Sequence, residues 1–215
     1  MHGATAIERP VAGLPHLPGD GHHRPAVEHI TTTGLNHRKM LMWMFLGSEC
    51  LFFGSLITTY LVYRGKSAVG PFPRDIFDIP FTSVSTFVLL MSSLAMVLAL
   101  AELQRGNVHG MRVWLLATGG LGMIFLSGQF YEFTTFYHEG LSLSRNLFGS
   151  TFFTLTGFHG GHVTIGVIWL LSIVAFSLQG KITQASALSV EIAGLYWHFV
   201  DVVWIVIFTV VYLLQ

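Results

Sequence analysis

The chain has 215 residues, of which 52% are hydrophobic and only 10% are charged, whereas charged residues make up about a quarter of a typical soluble domain. Its 11 Lys and Arg residues balance 11 Asp and Glu residues, so no excess of positive charge favours a nucleic-acid partner. The one cysteine, Cys50, excludes an internal disulfide, a two-cysteine copper centre, an iron–sulfur cluster and a Cys-x-x-Cys-His haem attachment. This composition predicts an integral membrane protein.

Residues 1–37 differ in composition from the rest of the chain. Glycine and proline interrupt any periodic pattern there, which is typical of a disordered polar tail. No apolar core follows a basic start, so the segment does not resemble a secretory signal peptide. The tail contains scattered histidines without a fixed ligand spacing, and no metal site is predicted from them: His2, His16, His22, His23, His29 and His37.

Residues 38–215 form one predicted membrane domain. Five apolar stretches are each near the roughly 20 residues that a helix needs to cross a bilayer. They cover about 40–63, 81–100, 113–131, 147–178 and 188–214. The predicted fold class is therefore all-α, a polytopic membrane protein with a bundle of five transmembrane helices.

The distribution of Lys and Arg predicts the orientation in the membrane. Seven basic residues belong to the tail and the even-numbered loops: Arg9, Arg24, Arg38, Lys39, Arg105, Arg112 and Lys181. Four belong to the opposite side: Arg64, Lys66, Arg74 and Arg145. The excess favours a cytoplasmic N-terminus and an external C-terminus.

Ionisable residues inside the predicted spans are the candidate functional groups, because a charge at the bilayer centre costs about 2.5–3.5 kcal/mol on insertion scales. They are Glu49 in the first helix, Glu132 at the end of the third, His159 and His162 in the fourth, and Glu191, His198 and Asp201 in the fifth. Counted along their helices, Glu49, Asp201 and the pair His159 and His162 reach similar depth. They could therefore converge if the first, fourth and fifth helices are neighbours.

Two interpretations of these groups remain open at this stage. They could be buried, hydrogen-bonded side chains that tie helices together, or Glu49 could be a proton-exchanging or head-group-binding site. His159 or His162 could formally face His198 across a b-type haem, but three membrane histidines cannot supply the haems and copper of a whole oxidase. Gly157 and Gly161 form a small-x-x-x-small face that indicates close helix contact.

Four segments together resemble one known family. Residues 196–204 (YWHFVDVVW) resemble the signature of subunit III of haem-copper respiratory oxidases, and residues 157–163 (GFHGGHV) resemble its Gly-x-His-Gly-x-His stretch. Residues 47–53 (GSECLFF) are similar to its Ser-Glu-x-x-x-Phe motif, and residues 129–133 (QFYEF) to its Tyr-Glu segment. The resemblance runs from about residue 37 to the end of the chain.

The resemblance implies an all-helical subunit without redox cofactors. It implies packing beside catalytic subunit I, which holds the haems and copper, contacts with other oxidase subunits, support of proton uptake, and bound phospholipid. Glu49 matches the family's buried helix glutamate, and four candidates fall in its polar interior: His159, His162, His198 and Asp201. None of the seven candidates is expected to be catalytic or to bind a metal or cofactor. Longer members have seven helices and a lipid cleft beside the first two, so here another subunit would have to supply the cleft's other wall.

The resemblance leaves the electron donor open. The leading interpretation is an accessory subunit of a proton-pumping bacterial cytochrome c oxidase in the cytoplasmic membrane, with a quinol oxidase as the nearest alternative. The related subunit of a nitric oxide reductase is a further alternative. From other classes, a stand-alone b-type cytochrome and a proton-coupled transporter remain, although no internal repeat favours a transporter.

Overall fold

The helix boundaries follow from capping residues and glycines as much as from hydropathy. In a computed structural model that describes residues 36–64, 66, 78–138, 140–141 and 147–214, the five helices are α1 His37–Tyr63, α2 Ile79–Gln104, α3 Val108–His138, α4 Leu147–Leu178 and α5 Ala187–Phe208. A short 3₁₀ turn, Gln184–Ser186, precedes α5, and a π-helical turn, Thr209–Leu213, continues it. The predicted tail lies almost wholly outside the described residues.

All five helices are long and apolar enough to cross a membrane, counting the π-helical turn with α5. The prediction of an all-α bundle with five membrane-spanning helices is therefore confirmed.

Two helices extend beyond their apolar stretches. Asp78 caps the start of α2, because its side chain accepts a hydrogen bond from the backbone N–H of Phe81 at 3.2 Å, and Pro80 suits this first turn. The connection between α2 and α3 is short, and Gly106 turns it with a φ of 83°. Hydropathy therefore underestimates the lengths of α2 and α3, because their terminal turns are polar and are stabilised by capping residues and by the Gly106 turn.

Helix α5 is covered by other helices on most of its sides but keeps one exposed side. It packs against α1, α2 and α4, while α3 packs against α2 and α4. It is the most buried of the five helices and α1 is the least buried. Its two tryptophans, Trp197 and Trp204, are among the largest fully buried side chains in the described part of the chain.

Hydrogen bonds from α5 to α2 hold this arrangement. The indole N–H of Trp197 donates to Ser92 Oγ, and that of Trp204 donates to Thr86 Oγ1, both at 3.0 Å. Tryptophan has only a donor to satisfy, so a hydroxyl on the facing helix is a suitable acceptor in an apolar interior. The spacing of these hydroxyls on α2 sets the axial position of α5.

Candidate functional site

A carboxyl group and an imidazole meet between α1 and α4. Glu49 Oε2 lies 3.3 Å from His162 Nε2, and each side chain is 17% exposed. The ring of Phe53 packs against His162 at 5.0 Å between centroids, and Tyr196 of α5 donates a hydrogen bond to the His162 carbonyl at 3.0 Å. Helices α1, α4 and α5 therefore hold Glu49 against His162 inside the membrane.

The hydrogen bonds of His162 define where a proton can reside. His162 Nδ1 lies 2.8 Å from the carbonyl oxygen of Phe158. Because a carbonyl can only accept, Nδ1 carries a hydrogen. Nε2 is therefore the ring nitrogen that lies toward the Glu49 carboxyl, at 3.3 Å from Oε2.

A groove runs along α4 beside this pair. Its volume is about 460 Å³, and it is lined by Phe153, Thr154, Gly157, Phe158, Gly161, His162 and Ile165. A Cβ atom added at Gly157 or Gly161 would meet nothing within 4 Å. The two glycines thus do not mark close helix contact within this chain, as the small-x-x-x-small pattern suggested; instead they leave an open, mostly apolar channel on its surface.

His159 lies one turn from His162 but in a different environment. It is fully buried, its ring stacks on Trp204 at 4.9 Å, and it meets the edges of Phe125 and Phe53. Neither ring nitrogen has a hydrogen-bond partner among the described residues. His159 therefore belongs to an aromatic cluster at the bundle centre, and Phe53 is the side chain that separates it from the Glu49–His162 pair.

His198 and Asp201 face α2. His198 Nδ1 lies 2.7 Å from Ser93 Oγ, and the Asp201 carboxyl, 4% exposed, lies near both side chains. Its Oδ1 has no hydrogen-bond partner among the described residues. This second polar cluster is separate from the Glu49–His162 pair. Ser93 was not predicted, because α2 contains no charge in its apolar stretch and a serine there carries no signal by itself.

Glu132 lies near the end of the bundle at which α5 finishes. Its carboxyl accepts hydrogen bonds from Thr82 of α2 and, at 3.4 Å, from Tyr212 of the π-helical turn. All three side chains are buried. The π-helical turn brings Tyr212 into this cluster, so Glu132 joins α2, α3 and the end of α5.

Glu191 lies at the opposite end of the bundle. It forms an ion pair with Lys39, and about a third of each side chain is exposed. The pair joins the starts of α1 and α5.

The seven predicted residues thus occupy five separate places in the bundle. Two of these places hold two predicted residues each, Glu49 with His162 and His198 with Asp201. The other three places hold one each: His159, Glu132 and Glu191. Within the described residues, no group of three His, Cys, Asp or Glu side chains could hold a metal ion.

Comparison with known proteins agrees with this architecture. The sequence model of the family described as cytochrome c oxidase subunit III matches residues 19–215. Cytochrome c oxidase subunit 3 of Bacillus sp. (strain PS3) is 38% identical over 191 residues, which cover 88% of this chain and 92% of that protein.

Two further relatives are third subunits of quinol oxidases. Quinol oxidase subunit 3 of Bacillus subtilis (strain 168) is 40% identical over 172 residues, covering 80% of this chain and 84% of the relative. Cytochrome bo(3) ubiquinol oxidase subunit 3 of Pseudomonas putida is 40% identical over 172 residues, covering 80% and 83%. With the family match over most of its length, the chain belongs to the cytochrome c oxidase subunit III family, the third subunit of haem-copper oxidases.

Proposed function

We propose that this chain is the accessory, cofactor-free subunit III of a proton-pumping terminal oxidase in the bacterial cytoplasmic membrane. The complex passes electrons from cytochrome c to O₂ and forms water, and its haems and copper belong to partner subunits. This chain packs against catalytic subunit I, stabilises it and supports proton uptake. The family match and the five spanning helices support the assignment.

The observation that carries the role in proton uptake is the Glu49–His162 pair. Its two titratable groups lie 3.3 Å apart inside the membrane, and Phe158 holds the orientation of the imidazole. Such a pair exchanges a proton locally and shifts its charge without moving a helix. It therefore suits a subunit that buffers protons for a neighbouring uptake route and needs no redox group of its own.

The α4 groove supports the proposed binding of phospholipid. It is open, mostly apolar, and continues to the polar edge of His162. An acyl chain fits an apolar channel of this kind, and the exposed faces of Gly157 and Gly161 let it approach the helix backbone. A helix of a partner subunit would close the other side of the groove.

Cytochrome c is the proposed donor because the cytochrome c oxidase relative aligns over a larger share of both chains. Quinol is the second candidate, and the specific observation in its favour is the slightly higher identity, 40%, to two quinol-oxidising relatives. Subunit III is not expected to touch either donor site. The identity of the electron donor must therefore be determined from the partner subunits.

Purification of the native complex in mild detergent tests the proposal. We expect the chain to co-purify with a haem-containing catalytic subunit and a subunit bearing a two-cysteine copper domain. A complex that lacks the copper domain and oxidises quinol would replace cytochrome c by quinol as the donor. A haem spectrum from the isolated chain would instead contradict the cofactor-free assignment and favour a b-type cytochrome.

A further inference from the structure

The exposed residues of α5 form one continuous stripe. Leu195, His198, Val202, Ile205 and Val206 are exposed or half-exposed, and they fall on the same side of the helix. The remaining sides of α5 are covered by the other helices. These five residues are termed the α5 stripe.

The α5 stripe lies between α1 and α2. On the α1 side, Phe199 packs near Phe53 with ring centroids 6.5 Å apart. On the α2 side, Ser93 Oγ contacts His198 Nδ1. Leu94 and Val97 of α2, both more than half exposed, follow Ser93 along this flank. At the start of α5 the Lys39–Glu191 pair terminates the stripe. The stripe is thus an apolar surface with one polar side chain in it.

His198 is that polar side chain. Its Nδ1 is bonded to Ser93, whereas Nε2 has no hydrogen-bond partner among the described residues and is not buried. His198 follows Glu191 by seven residues, which places it about 10 Å along the helix from that ion pair, at 1.5 Å per residue. An imidazole nitrogen facing hydrocarbon at this depth is costly, and polar groups in membranes are normally paired.

We infer that the α5 stripe and its α2 flank are the docking face for a transmembrane helix of another oxidase subunit. That helix carries a hydrogen-bonding side chain at the depth of His198 Nε2, and its apolar residues cover Val202 and Ile205. An acyl chain would cover the apolar residues but would leave the imidazole unpaired. The inference rests on the proposed membership of an oxidase complex and does not depend on the electron donor.

Matched tryptophan substitutions test the docking face. Val202 in the stripe is 56% exposed and Val113 on α3 is 52% exposed, so neither substitution fills a buried space in this chain. In complexes purified through a tag on the catalytic subunit, we expect Val202→Trp to cause loss of this chain and Val113→Trp to leave it bound. Equal retention of the two variants, or loss of Val113→Trp alone, would overturn the inference.

A photo-cross-linking residue at position 202 identifies what covers the stripe. We expect a cross-link to another oxidase subunit from position 202 in the intact complex. Adducts with lipid only, in a complex that still contains this chain, would overturn the docking face but leave the proposed function standing. A wild-type chain that co-purifies with no haem-containing subunit would instead contradict the proposed function.

The polar contact is tested separately by His198→Phe and Ser93→Ala. Ser93→Ala removes only contacts within this chain, whereas His198→Phe also removes the nitrogen that faces the partner. We expect greater loss of this chain from the complex with His198→Phe. Equal losses would show that the partner makes no hydrogen bond to His198, and would contradict that part of the inference.

Discussion

At the scale of single residues, the pairing of Glu49 with His162 determines what this carboxyl can do. A lone carboxyl is costly to place in lipid, and the proposed exchange of a proton requires a second titratable group within reach, which is His162. The hydrogen bond from His162 Nδ1 to the Phe158 carbonyl keeps Nε2 directed at Glu49. The pair depends on the packing of α1 against α4, because Glu49 belongs to α1 and His162 belongs to α4.

We expect Glu49→Gln to leave assembly and the initial oxidation rate close to wild type, because the substitution keeps the size of the side chain. Proton pumping, or the activity that remains after many turnovers, should fall, because the glutamine cannot exchange a proton with His162. Proton release and activity decay in reconstituted vesicles measure this. Cys50→Ser, an exposed neighbour on the same helix, is the control. Wild-type pumping and durability in Glu49→Gln would make the pair structural.

Asp201 is expected to matter for stability. Asp201→Leu removes a buried carboxyl, only 4% exposed, that lies near the Ser93 hydroxyl and the His198 imidazole. Leaving buried donors unsatisfied costs about 1–3 kcal/mol, so thermal unfolding of the complex, or release of this chain, should occur at lower temperature. Asp201→Asn keeps one acceptor oxygen and should lose less. Unchanged melting of Asp201→Leu would contradict the expectation.

At the scale of helices, glycines allow Trp197 of α5 to enter between α3 and α4. A Cβ atom at Gly122 would lie 2.6 Å from Trp197 Cη2, and one at Gly166 would lie 2.9 Å from Cζ3. Trp197 also donates to Ser92 of α2, so one side chain joins four helices. The glycines of α3 were recognisable as small residues in the sequence, but their partner was not.

Gly122→Ala is therefore expected to destabilise the bundle. Inserting a methyl group against a packed indole typically costs about 1–3 kcal/mol. Gly120→Ala on the same helix is the matched control, because its Cβ would meet nothing within 4 Å, and alanine favours a helix by roughly 0.5–1 kcal/mol over glycine. Thermal denaturation of the two variants in detergent gives the comparison. Equal stability would show that Trp197 can shift at no cost.

At the scale of the whole molecule, ionic and polar contacts mark the two ends of the bundle. Lys39–Glu191 and the bonds from Arg112 to Ser177 lie at the end where α1 begins, and the Glu132 cluster lies at the other. If all five spans of the described residues cross the membrane, the start of α1 and the end of α5 lie on opposite sides of it. The excess of Lys and Arg in the tail and even-numbered loops predicts that the N-terminal side is cytoplasmic.

A reporter fused to the C-terminus tests this orientation. We expect alkaline phosphatase at that position to be active, because it folds only outside the cytoplasm, and green fluorescent protein there to be dark when exported unfolded. The reciprocal fusions after Lys181, between α4 and α5, should give the opposite signals. A fluorescent C-terminal fusion would reverse the predicted topology.

The number of helices and the depth of most ionisable groups were predictable from the sequence, because crossing hydrocarbon imposes a length and makes each charge conspicuous. Glu49, His162 and Asp201 stood out in this way. Ser93 and Thr82 did not, since uncharged polar residues are tolerated in spans and acquire a role only from what they face. Glu132 was visible, but its partner Tyr212 depends on a π-helical turn that hydropathy does not detect.

The sequence by itself determined that this chain is a five-helix membrane protein of the subunit III family, because apolar length and four ordered motifs are properties of the linear chain. Only the tertiary structure decided how the polar residues pair. Similar depth suggested one convergent site, yet Asp201 turns toward α2 while Glu49 meets His162 and His159 joins Trp204. Depth along a helix is set by residue number, whereas the direction of a side chain is set by which helices pack on each side.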